Sequence, residues 1–267
     1  FGAGASDAFI AKFAENGTQL WNRTWGGTAD DRGFGVAVAT DGIYQSGYTA
    51  SFGAGSNDAF ITKFASNGTQ LWNRTWGGTG DDSARCVAPS DDSVYLTGYA
   101  GSFGAGVGDA FITKFASNGT QLWNRTWGGT GADAARSVVV DATGVYISGS
   151  TGSFGAGLND AFIVKLSANG LQLWNWTWGG VNNDDAYEIR ASTEGIYICG
   201  NTGSYGAGGT DAFLVKWSTV CPGGEPPLEG PEIPGAPGLL LLATGLLVVL
   251  VVARRVATKM HDGPQKR

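Results

Sequence analysis

The chain repeats itself every 51 residues, without insertion or deletion, from its first residue to residue 217. Asp-Ala-Phe returns at Asp7, Asp58, Asp109, Asp160 and Asp211, and Trp-x-x-x-Trp-Gly-Gly returns at Trp21, Trp72, Trp123 and Trp174. A unit of this size cannot bury its apolar surface alone, so successive copies must stack to share a core. The fold of residues 1–217 therefore reduces to the fold of one unit, with copies starting at 1, 52, 103, 154 and 205.

Each unit holds four strand-like runs. Asp58 to Phe64 alternates Phe60, Thr62 and Phe64 with Ala59, Ile61 and Lys63, the period-two pattern of a strand. Ser66-Asn67-Gly68-Thr69 follows, and Asn-Gly between two such runs is a strong hairpin signal, because both residues tolerate positive φ. Gln70 to Trp76 is the second strand and Gly77-Gly78 ends it. A third runs near Ala84 to Ala88, and the fourth, Val94 to Tyr99, enters the Gly-rich loop Gly101 to Gly106. With 45 Gly, 10 Trp, 13 Phe and 8 Tyr, the composition is that of an all-β protein. Four short strands per unit with hairpins between them predict the four-stranded blade of a β-propeller. A parallel β-helix is the rival, but its coils are much shorter and carry no antiparallel hairpin in every turn.

The succession Asp-Ala-Phe-(Ile/Leu)-x-Lys-Phe, Asn-Gly-x-x-Leu-Trp-x-x-x-Trp-Gly-Gly, Val-Ala-Val and (Ile/Val)-Tyr-x-x-Gly resembles the prokaryotic β-propeller repeat known as SBBP, over residues 1–217. The resemblance implies that the Val-Ala-Val run is the inner strand of each blade and the Trp-x-x-x-Trp run the outer one. Two outer strands, three full blades and three strands of a fifth are then expected. Sixteen strands would close four blades, the seventeenth (Asp211 to Trp217) is surplus, and the expected ring is incomplete, with blades upstream.

Beyond Trp217 the repeat stops. Residues 218–232 form a linker rich in Pro, Gly and Glu that cannot build a core. Ile233 to Ala253 runs 21 residues without a charge, enough at about 1.5 Å per residue to cross a hydrocarbon layer of about 30 Å, so one transmembrane α-helix is expected over 233–253. Residues 254–267 carry five Lys or Arg and one acid, leaving a body of −10 before a tail of +4. The positive-inside rule places this tail in the cytoplasm and the repeats outside the cell membrane, as a single-pass protein. The acidic Pro-rich spacer, apolar segment and Arg254-Arg255 resemble the C-terminal anchors of archaeal surface proteins.

An acidic body offers no basic patch to nucleic acid, which is excluded as a partner. The three cysteines (Cys86, Cys199, Cys221) have no metal-ligand spacing; Cys86, where Gly35 and Ser137 stand in other copies, is expected to be a small buried residue, and a Cys199–Cys221 pair stays open. Seven sequons, at Asn16, Asn22, Asn67, Asn73, Asn118, Asn124 and Asn175, are glycosylation candidates on an outward-facing domain, although Asn-Gly is also simply the hairpin turn. The column Asp31, Asp82, Asp133 and Asp184 is a weak metal candidate for Ca²⁺. A cage needs several oxygen ligands in one loop, and the acid preceding this column is lost at Ala132, so turn capping accounts for it better. The Asp7 column is expected to tie each strand start to its Gly-rich loop.

Trp21 and Trp25 and their copies invite a sugar- or quinone-stacking reading, but recurrence in every unit favours packing between sheets. Phe-Gly-Ala-Gly opens a strand, not a helix, so it is no phosphate loop. Nucleophilic catalysis has no foundation: the one histidine, His261, lies in the tail. The acids that deviate from the repeat, Glu188 and Glu194, read as surface substitutions, and the variable loop pairs (5–6, 56–57, 107–108, 158–159, 209–210) show no convergent cluster. No catalytic residue and no cofactor are expected. The expectation is a non-enzymatic cell-surface scaffold or adhesion module whose partner is a surface protein or glycan. The alternative is an extracytoplasmic glycan hydrolase or quinone-dependent dehydrogenase whose active site lies in other blades.

Overall fold

The computed structural model describes residues 2–217 and the backbone of Val249–Leu250. The linker, the 233–253 segment apart from that dipeptide, Cys221 and the basic tail lie outside the described residues. Among those described, no helix is long and apolar enough to cross a membrane.

The described residues are all-β, built from repeated antiparallel sheets in chain order. The first sheet is the hairpin β1 (Ala8–Phe13) and β2 (Gln19–Trp25). The second runs β3 (Asp31–Ala39), β4 (Gly42–Thr49), β5 (Asp58–Phe64) and β6 (Gln70–Trp76). The third holds β7 (Asp82–Pro89), β8 (Ser93–Ala100), β9 (Asp109–Ala116) and β10 (Gln121–Trp127). The fourth holds β11 (Asp133–Asp141), β12 (Gly144–Thr151), β13 (Asp160–Leu166) and β14 (Gln172–Trp178). The fifth has β15 (Asp184–Ser192), β16 (Gly195–Thr202) and β17 (Asp211–Trp217), with the two-residue β18 (Val249–Leu250) paired to β17. Every predicted strand is present, and the first strand of each full sheet begins five residues before the Val-Ala-Val run, as β3 does at Asp31 before Val36.

The sheets are blade-like. Their first strands β3, β7, β11 and β15 lie against one another, so the sheets fan out from a common inner edge. The alternation along β5 serves two neighbours: Phe60 packs back onto Trp25 of the first sheet, while Ala59 and Ile61 join a cluster with Val87, Leu96 and Phe111 of the third. The same interface recurs between the third and fourth sheets (Ile112 with Val138, Ile147 and Phe162) and between the fourth and fifth (Ile163 with Ile189, Ile198 and Phe213). Where no sheet is described on one side, the same positions are bare. Phe9 and Val36 are 73% and 64% exposed, whereas their copies Phe60 and Val87 are 0% and 5%.

The hairpin turns bracket neighbouring sheets. Trp21, Trp72 and Trp123 each donate the indole N–H to a turn carbonyl of the next unit (Ser66, Ser117 and Ala168, at 3.1, 3.0 and 3.2 Å). Arg23, Arg74 and Arg125 add a bond to the carbonyl of Gly68, Gly119 and Gly170. Gly68 has φ +82°, and a Cβ there would sit 2.8 Å from the Trp21 ring, so both conformation and space demand glycine. At the fifth sheet the device is rebuilt. The Ser-Asn-Gly-Thr sequence does not recur after Trp217, the bracketing arginine becomes Trp176, and Trp176 packs on Trp217 with ring centroids 5.2 Å apart.

Candidate functional site

The symmetry of the repeat is broken most on the innermost strands. In each of them the register shifts by one residue opposite the second strand, between Gly33 and Gly35, Ala84 and Cys86, Ala135 and Ser137, and Ala186 and Glu188. The residue left out of the ladder is Phe34, Arg85, Arg136 and Tyr187 in turn. A bulge bends its strand and re-aims a side chain, and here it presents a different residue in nearly every copy. The loops that carry the variable pairs hold no comparable grouping.

Contacts join this column in two pairs, each across one gap between sheets. The Arg85 guanidinium lies over the Phe34 ring at 4.6 Å and that of Arg136 over Tyr187 at 4.9 Å. Phe34 is tilted against Tyr48, whose hydroxyl donates to Asp30 at 2.9 Å, and Asp30 also pairs with Arg32 at 2.9 Å. Hydrogen bonds from Ser6 and Tyr48, with Arg32 alongside, hold the Asp30 carboxyl below its usual range. On the far side Arg136 meets Asp185 at 3.3 Å, and the Asn201 amide donates to the Tyr187 hydroxyl at 3.4 Å. Burial lowers the Arg85 pKa, and the charge of Arg136 lowers it further.

Glu188 belongs to the same strand and is not the plain surface substitution expected of it. It is half-buried, accepts the Ser137 hydroxyl at 2.8 Å and pairs with Arg190. Glu194 is exposed and pairs with Lys216 at 3.3 Å at the rim. Cys86 is half-buried rather than buried; burial first, with Glu188 also contributing, raises its thiol pKa. The signal in the sequence was the inner-strand variation itself, visible as Gly35, Cys86, Ser137 and Glu188 at one repeat position. It became meaningful only once the bulge showed where the neighbouring column points.

The two aspartate columns sit at the opposite ends of the Gly-Gly turns. Asp31 and its copies Asp82, Asp133 and Asp184 are fully buried, each accepting a backbone N–H from the second Gly of the preceding pair and a serine hydroxyl from the next Gly-rich loop, as in Gly27 N at 2.8 Å and Ser51 Oγ at 2.6 Å for Asp31. Asp58 accepts the N–H groups of Ala54 and Gly55 at 3.0 and 3.3 Å, tying β5 to its loop. Both columns meet at the first Gly of the pair: a Cβ on Gly179 would lie 2.0 Å from Asp160 Oδ1 and 2.8 Å from Asp184 Oδ2. Among the described residues, no three metal-ligating side chains converge. All seven sequon asparagines are exposed, four of them on outer strands and three at hairpin turns.

A cavity of about 380 Å³ opens between the third and fourth sheets, lined by Ile112, Ile147, Val164, Leu166, Trp127 and Arg125 among others. Its lining departs from the two preceding units at Val164, Leu166 and Leu171, where they carry Thr, Phe and Thr. The largest loss of volume is at Leu166, whose position is held by Phe13, Phe64 and Phe115 in the earlier units and by Trp217 in the fifth sheet. Leu166→Phe is expected to fill the space and raise the unfolding free energy by about 1 kcal/mol, seen as a higher denaturation midpoint in urea at unchanged slope. A lower midpoint would mean that the site is already closed to larger side chains.

No family model matches the chain. The regulatory protein FlaEY of Caulobacter vibrioides is 25% identical over 171 residues, covering 54% of this chain and 18% of that protein, so the chain spans less than a fifth of that relative's length. A protein of unknown function from Bacteroides caccae aligns at TM-score 0.43 and 14% identity, over 72% of this chain and 63% of its own. The arabinanase Arb43A of Bacillus subtilis aligns at TM-score 0.39 and 9% identity, over 68% and 69%.

Proposed function

We propose that this chain is an outward-facing, membrane-anchored β-propeller arc that acts as a non-catalytic interaction module, recognising its partner through the bulged column of its innermost strands. The observation that carries this reading is the placement of variation. A framework held constant over four units changes chemistry at Phe34, Arg85, Arg136 and Tyr187, where a bulge aims the side chain out of the ladder. The acids on this face, Asp30, Asp185 and Glu188, are each held by an arginine, which suits recognition better than acid–base catalysis. The charge-free 21-residue segment and the basic tail support the anchor and its orientation.

Location and face are tested together on intact cells expressing the full chain. A membrane-impermeant maleimide is expected to label the exposed Cys199 and to spare a cysteine introduced at Gln265 in the tail. A photo-crosslinking residue at position 187 is expected to capture a surface component that the same residue at the outer-strand position 71 does not. Labelling of the tail cysteine, or equal capture at 187 and 71, would overturn the assignment.

A further inference from the structure

The gap between the third and fourth sheets differs in its lining from the gap before it, and the differences converge on one place. Between the second and third sheets the Phe115 ring is buried in a cluster with Ile61, Leu96 and Phe111. One unit later Leu166 stands in its position, Val164 replaces Thr113, Leu171 replaces Thr120, and Ile147 replaces Leu96 at equal size. All four line the cavity of about 380 Å³. One change removes a ring and two remove a hydroxyl, so space opens where the Phe115 ring lies in the preceding gap, and its walls lose hydrogen-bonding groups. Ile112, Ile147, Val164 and Leu166 are buried and form the floor, while Leu171 is 64% exposed and marks the mouth. Trp127, in the same lining, is half-buried, whereas its copies Trp25 and Trp76 are each 8% exposed.

Size, shape and charge say what fits. An apolar cavity left by a large-to-small change takes an apolar guest of matching size, as benzene fills one of about 150 Å³. Here the group missing from the pattern is a phenyl ring, and the larger volume leaves room for a short side chain on it. Arg125, exposed at the mouth, is the one charged residue of the lining. Its Nε donates to the Gly170 carbonyl at 3.0 Å and one terminal nitrogen to the Asn124 carbonyl at 2.6 Å. Among the described residues its other terminal nitrogen has no hydrogen-bond partner, and no carboxylate pairs with it. A guanidinium with an unused donor takes a carboxylate through charge-assisted hydrogen bonds. A buried aliphatic floor with a single cation at its mouth is the complement of a small aromatic acid.

We infer that the cavity between the third and fourth sheets is a binding site for an aryl carboxylate, with the aromatic ring between Ile112 and Leu166 and the carboxylate on Arg125. The site lies apart from the bulged inner strands and stands independently of the interaction face proposed above. Titration calorimetry of the full chain in lipid nanodiscs, with empty nanodiscs as the blank, is expected to show binding of 3-phenylpropanoate. Leu166→Phe, which restores the residue of three earlier units, is expected to abolish it because the new ring occupies the site. Val164→Thr restores the residue of the two preceding units and is expected to weaken binding by returning a hydroxyl to the floor; it carries the same test should Leu166→Phe not fold. Arg125→Gln is expected to weaken 3-phenylpropanoate about tenfold and to leave the uncharged 3-phenylpropanamide as the parent binds it, a difference that a collapsed cavity would not produce. Absence of 3-phenylpropanoate binding, or binding that Leu166→Phe and Val164→Thr both leave intact, would overturn the site. Tighter binding of octanoate would overturn the aromatic class, and equal binding of acid and amide would overturn the role of Arg125.

Discussion

Replacing Trp76 by alanine is expected to cost about 3–5 kcal/mol of unfolding free energy, the range for removing a large aromatic from a packed core. Trp76 is 8% exposed although it sits on the outermost strand of its sheet, because it leans across the gap to the third sheet. Its ring stacks on Phe111 at 4.2 Å and contacts Phe103 of the Gly-rich loop at 5.3 Å. Leu71, on the same strand but 51% exposed, provides the contrast, and Leu71→Ala is expected to stay within about 0.5 kcal/mol. For a repeat array of this size the Trp76 variant should lose on the order of 10 °C in thermal midpoint. Each unit touches only its neighbours, so hydrogen exchange should quicken first in the second and third sheets. A loss below about 1 kcal/mol would mean that Trp76 is not a principal tie between sheets.

That contrast shows what the sequence could and could not convey. Strand positions were legible because period-two alternation, Asn-Gly turns and Gly-Gly breaks are local, and Asp58–Phe64 and Gln70–Trp76 appear with the ends that the pattern predicts. Burial was less legible. Along β5 both faces are buried, since each sheet is sandwiched between two others, so Lys63 is only 5% exposed while its ammonium reaches Asp41 at 2.6 Å. Alternation alone assigns two faces and cannot say that both find a neighbour. The bulges were invisible for a different reason: an extra residue changes register without changing composition, so Arg85 and Arg136 looked like ordinary alternating polar residues. Position 166 carried a readable signal, Leu where three copies have Phe, but its meaning as a cavity depends on the packing of the third sheet against the fourth.

The paired aspartates give the second large effect, and its sign follows from their burial. Asp160 is 2% exposed; burial raises its pKa to about 6, outweighing the Ala156 N–H that it accepts at 2.9 Å, and the charge of Asp184 adds to the rise. Tyr205 shares this environment, its hydroxyl donating to the Gly179 carbonyl at 2.8 Å, and its own pKa is raised by burial and by both acids. Because Asp160 binds its proton more tightly folded than unfolded, it favours the folded chain fully below the unfolded value of 3.8, and that contribution is lost as pH rises through about 6. Across that interval the loss amounts to about 3 kcal/mol. Asp58 and Asp109 are raised by the same causes and act in the same direction. Unfolding free energy measured in urea is therefore expected to fall between about pH 4 and about pH 7, opposite to the usual acid lability of carboxylate-stabilised folds. In Asp160→Asn, the amide oxygen can keep the Ala156 bond while its nitrogen donates towards Asp184 across Gly179. The variant should be more stable than the parent at about pH 7, equal to it near pH 4, and shallower in its pH dependence by the share of Asp160. An identical pH slope in parent and variant would show that Asp160 ionises freely in the folded protein, and the converging carboxylates would then have to be separated by more than the glycine that divides them.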